Sequence, residues 1–92
     1  MKLLNKLKSL FVKTPKNELK VWAVIEGPIE QPDGVYANIV KASWNGKSIT
    51  TEFYFSTFDD AYFFKTTVEK GEDVTIELPE GAEVQTIDYK VN

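Results

Sequence analysis

The stretch VYANIVKASWNGKSITTEFYFS, residues 35–56, decides the fold. Asn45-Gly46 is the preferred pair for a two-residue type I′ turn, and the residues on either side are rich in β-formers. Such a turn sets the register. Trp44 then faces Lys47, Ala42 faces Ile49, Val40 faces Thr51, Asn38 faces Phe53 and Tyr36 faces Phe55. These residues share one mostly apolar face, which is assigned to the core. The other face carries Val35, Ala37, Ile39, Lys41 and Ser43 against Ser48, Thr50, Glu52 and Tyr54. Its mixed character suits partial cover or solvent.

Downstream, Ser56 or Thr57 is placed to cap a helix running to about Lys70. Asp59 and Asp60 fall in its first turn, where the helix dipole favours anions, and Lys70-Gly71 ends it. Ala61, Phe64 and Val68 form an inward stripe with Phe58 and Tyr62 beside it, all read as core; Phe63 points roughly opposite. Val74, Ile76 and Leu78 alternate with polar residues as a half-buried strand does. Pro79-Glu80-Gly81 turns the chain, and Val84 to Val91 is expected to return as a last strand paired with its predecessor.

Upstream, Leu19 to Glu26 reads as a strand that Gly27-Pro28 stops, and residues 30–34 as a turn. Residues 2–13 read as an amphipathic helix. Leu3, Leu4, Leu7, Leu10 and Phe11 follow one helical face, Lys2, Asn5, Lys6, Ser9 and Lys13 the other, and Pro15 ends the pattern. The expected fold is therefore α+β: a mainly antiparallel five-stranded sheet in the order α-β-β-β-α-β-β, with one helix on a face and a short amphipathic N-terminal helix. Two parts are expected, a basic helix and linker over residues 1–16 and a single acidic α+β domain over residues 17–92.

The charge is split along the same line. Residues 1–16 hold five Lys and no acid, whereas residues 17–92 hold six Lys and all fourteen acids. A chain of 92 residues that is 42% hydrophobic has the size and composition of one folded domain. No apolar run approaches the length of a membrane span, and Lys6, Lys8 and Lys13 interrupt any signal-peptide core. The expected location is cytoplasmic, with peripheral attachment to a membrane as a variant of it.

The chain contains no His, no Arg and no Cys. It lacks a side chain that ordinarily titrates near neutrality, a bidentate fork for phosphate or carboxylate, and thiolate chemistry. A basic set made only of Lys also fits the AT-rich coding of many phages. Asn45-Gly46-Lys47-Ser48 resembles a phosphate loop only in its last three residues; it lacks the upstream glycine and the following helix. The paired carboxylates Asp59-Asp60 and Glu72-Asp73 sit at element starts, where acids are normally exposed. No Ca²⁺-loop spacing occurs. The expectation is a chain with no catalytic residues, no metal and no cofactor, and so not an enzyme.

The reading that follows is a non-catalytic protein-binding module, of the kind of a small phage-like regulator or inhibitor that occludes a partner protein. Its expected contact residues are Phe63, Asp59, Asp60 and Tyr54. An alternative is a membrane-surface accessory protein using Leu3, Leu7, Leu10 and Phe11 with Lys2, Lys6 and Lys13. The same helix, docked, would cover the sheet's second face near Trp22, Val24, Ile39 and Tyr54. More remote are an acidic nucleic-acid mimic and an enzyme working with carboxylates and hydroxyls alone. Nucleic acid itself is an unfavourable partner for an acidic body.

Overall fold

The computed structural model describes residues 17–89. The expected helix over residues 2–13 and its linker lie outside the described residues, as do residues 90–92. The described residues form four strands and one helix: β1 (Glu18–Glu30), β2 (Tyr36–Trp44), β3 (Lys47–Phe55), α1 (Phe58–Glu69) and β4 (Val74–Glu77). The sheet is antiparallel throughout, with spatial order β3-β2-β1-β4.

The β2–β3 hairpin has the expected register at every pair from Trp44↔Lys47 to Tyr36↔Phe55. Asn45 and Gly46 both take positive φ, 51° and 89°, as a type I′ turn requires. One face of the hairpin meets α1 and buries Val40, Ala42 and Asn38 completely. There Leu19, Val21, Val40, Ala42 and Val68 form the core, with Phe53, Phe64, Ile49 and Val24 packed around it. Phe64 fits between the rings of Phe53 and Phe55, at 5.3 and 5.2 Å. On the second face, Ala37 and Ile39 are also buried.

Strand β1 differs from the expectation in two ways. It does not stop at Gly27-Pro28 but runs through the cis Gly27–Pro28 bond to Glu30. It also shifts register between Val21 and Ala23, leaving Trp22 as an extra residue opposite β2. A bulge of this kind resets the alternation of faces. Val21 pairs with Ala42 and Val24 with Val40, so both face the core although three positions apart. Val24 therefore belongs to the core and not to the second face, and Trp22 is left exposed.

Among the described residues the sheet has four strands, not five. β4 pairs with the start of β1, from Glu18↔Glu77 to Val21↔Val74, and not with the residues that follow it. The expected last strand forms no ladder over its described part, residues 84–89. The reason is visible at Asn17. Its amide donates to Pro79 O and Ala82 O (2.9 and 2.8 Å) and accepts from Trp44 Nε1 and Asn45 Nδ2 (2.8 and 2.9 Å). That uses the full capacity of one Asn amide. The turn after β4 is thereby tied to the hairpin end of the sheet, and the chain continues toward β3. There Thr51 Oγ1 donates to Gln85 O at 2.6 Å and Ile87 N to Thr50 O at 2.9 Å. Tyr89 Oη then donates to Glu26 on the second face.

Candidate functional site

Helix α1 begins where the sequence places it. Thr57 is the N-cap, its Oγ1 accepting from Asp60 N at 3.1 Å, and Asp59 and Asp60 occupy the first turn. At its end Lys70 N donates to Thr66 O and Gly71 N to Val68 O, both at 3.0 Å, and Gly71 takes φ 82°. Ala61 and Val68 are buried and Phe64 packs beside them, which fixes the inward direction. At about 100° per residue, Asp59, Phe63 and Thr66 then point away from the sheet.

The outer surface of α1 is aromatic. Phe63 is 72% exposed, Tyr62 52% and Phe58 47%. The expectation that Phe58 and Tyr62 belong to the core is therefore corrected: the inward arc has room for Ala61, Phe64 and Val68, and the pair one step around the helix falls on its flank. Phe58 and Tyr62, one turn apart, stack at 5.9 Å with their planes 11° from parallel. Tyr36 meets Phe58 edge-on at 5.8 Å. Asp59 and Asp60 are exposed beside these rings. Phe63 is as exposed as the sequence implies, and with Asp59 it lies on the outer surface. Sequence reasoning missed Phe58 and Tyr62 as surface residues; their i, i+4 spacing is the signal that they share a flank.

Tyr54 lies elsewhere. It sits on the sheet face opposite α1, paired in register with Ala37, and is 58% exposed. The four expected contact residues thus divide into two groups on two sides of the molecule, Phe63 with Asp59 and Asp60 on α1 and Tyr54 on the second face. The groups flank the same end of the sheet, because only Phe55, Ser56 and Thr57 separate Tyr54 from the start of α1. Tyr54 Oη donates to Glu52 Oε1 at 2.7 Å. This bond, with desolvation and the charges of Glu52 and Asp33, raises the phenol above its ordinary value. Tyr89 is raised in the same way, first by its bond to Glu26.

The lysine within α1 is already engaged: Lys65 Nζ donates to Gly27 O at 2.9 Å. The carboxylates of Asp59-Asp60 and Glu72-Asp73 are exposed at the ends of α1. Among the described residues no group of three or more acids is arranged to hold a metal ion. Nor is any described helix long and apolar enough to cross a membrane.

No protein-family model, curated protein or solved structure matches this chain.

Proposed function

We propose that the chain is a non-catalytic protein-binding module, a small regulator or inhibitor that acts by covering a surface of its partner. One observation carries this reading: the outer face of α1 presents Phe58, Tyr62 and Phe63 to solvent, with Asp59 and Asp60 alongside. Aromatic side chains are enriched at interfaces and among the residues that dominate binding energy. Stacking of Phe58 on Tyr62 holds both rings in place before any partner arrives, which lowers the ordering cost of association. Burial of a Phe side chain is worth about 1.5–3 kcal/mol before such costs, roughly one to two decades of affinity. The lack of His, Cys and Arg supports a role through contact and not through bond-making.

The test compares the intact protein with a Tyr62→Ala/Phe63→Ala variant as bait in extract of its own cell or host. A protein retained by the first through a salt wash and lost from the second, with both baits equally folded by circular dichroism, supports the reading. Identical retention by the two baits removes α1 as the contact surface. Turnover of a small molecule by the purified protein, abolished by one carboxylate-to-amide substitution, overturns the non-catalytic assignment.

A further inference from the structure

The second exposed aromatic, Tyr54, stands in a groove of its own. Gln31, Pro32, Asp33, Val35 and Tyr54 line an open hollow of about 530 Å³ between the β1–β2 turn and the outer face of β3. The turn forming one wall is braced by backbone bonds from Gln31 N to Val35 O at 2.8 Å and from Gly34 N to Gln31 O at 3.0 Å. Asp33 Oδ1 accepts from Val35 N at 3.4 Å, which directs that carboxylate back over the turn. On the other side the Tyr54 ring is held by its hydroxyl bond to Glu52.

The groove combines three elements in one place: apolar walls from Pro32 and Val35, an accessible aromatic ring, and the carboxylates of Asp33 and Glu52 near that ring. None of its lining side chains is basic. On the same sheet face, Lys41 pairs with Thr50, four residues along β2 from the partner of Tyr54 and so about 13 Å away. The chemistry complementary to this arrangement is an aliphatic stem ending in a cation. The stem lies along apolar surface while the head stays near solvent and acids. A cation within about 6 Å of an aromatic ring is attracted to its face. Residues 17–92 hold six Lys against fourteen acids, and the whole chain remains at −3, a balance that favours approach of such a group.

We propose that the Tyr54 groove receives a lysine or arginine side chain from a basic segment of the partner protein. The inference rests on the binding-module reading and adds the chemistry of what one part of the partner must present. Because Tyr54 and Phe58 flank one end of the sheet, a partner that seats an apolar surface on α1 has its basic segment within reach of the groove.

The experiment uses the intact ¹⁵N-labelled protein at low salt and a ten-residue peptide of alternating Gly and Lys. Its counterpart carries acetylated lysines throughout. The charged peptide is expected to shift the amides of Gly34, Val35 and Tyr54 most. Tyr54→Ala is expected to weaken that binding about two- to fivefold, the range of an exposed cation–π contact. Asp33→Asn/Glu52→Gln, which keeps the ring and removes the acids, is expected to weaken it at least as much. Equal shifts with the acetylated peptide overturn the proposal, as does undiminished affinity in both variants. Shifts confined to Asp59, Asp60 and their neighbours also overturn it, while leaving α1 standing as a contact surface.

Discussion

Gly27 of β1 lies directly against Asn38 of the neighbouring strand β2, with no room for a side chain between them. A side-chain carbon on residue 27 would overlap the Asn38 amide oxygen and lie 2.9 Å from Ala37 O. Gly27 also holds φ at +147°, a conformation that side chains resist. Asn38 is fully buried; its Nδ2 donates to Ala61 O at 2.9 Å, and its Oδ1 has no hydrogen-bond partner among the described residues. The hydrogen bond from β2 to the first turn of α1 thus depends on the absence of a Cβ in the neighbouring strand.

Gly27→Ala should therefore lower unfolding free energy by about 2–4 kcal/mol, combining overpacking with backbone strain. Asn38→Ala should cost about 1–3 kcal/mol through the lost bond inside the core. Because the two sites touch, the double variant should cost less than the sum. Urea titrations of the four proteins measure this; strict additivity would show that the added methyl does not press on the Asn38 side chain.

Phe63 and Phe64 are adjacent in the chain and opposite in role. Phe63→Ala should change stability by no more than about 0.5 kcal/mol, as an exposed position does. Phe64→Ala should remove about 3 kcal/mol, because its ring sits between Phe53 and Phe55. Thermal melts with circular dichroism detection separate the two outcomes.

The Tyr54 phenol is raised above 10.0, first by its hydrogen bond to Glu52. The folded protein then favours the protonated phenol more than the unfolded chain does. Its stabilisation is complete below pH 10 and is lost as pH climbs through the raised value. Ultraviolet titration should show Tyr54 ionising late, and Glu52→Gln should bring it back toward the ordinary phenol range. An unchanged Tyr54 titration in that variant would refute the assigned cause.

Asn17 joins three parts of the chain through one amide, so Asn17→Ala should cost about 2–3 kcal/mol despite its position at the margin of the sheet. In hydrogen exchange, the Ile87 amide should be protected by Thr50 O and its neighbours Thr86 and Asp88 should exchange faster. Uniform protection over residues 84–88 would restore the fifth strand.

The features readable in the sequence were local ones. Asn45-Gly46 alone sets the nine cross-strand pairs of β2 and β3, and Thr57 with Gly71 bounds α1, because turn and cap chemistry acts over a few residues. The Trp22 bulge was hidden, since an alternating run does not reveal where a ladder gains a residue. The partner of β4 was hidden too: Val74, Ile76 and Leu78 fit a local hairpin as well as a remote pairing with β1, and the choice depends on a side chain, Asn17, some sixty residues earlier. Of the candidate contacts, Phe63, Asp59 and Asp60 fall together because one helix carries them. Tyr54 was grouped with them only by exposure, and strand register places it on the other face.

β1 is thirteen residues long, while β4 covers only Glu18 to Val21 of it. Among the described residues no strand pairs with the remainder on that side, which would ordinarily invite chains to stack edge upon edge into fibrils. Here Pro28 lacks an amide proton, Lys65 occupies Gly27 O, and register shifts at Trp22 and beyond Glu26 break the straight repeat that a growing filament copies. The irregular half of β1 thus offers no straight ladder for lateral growth along that rim.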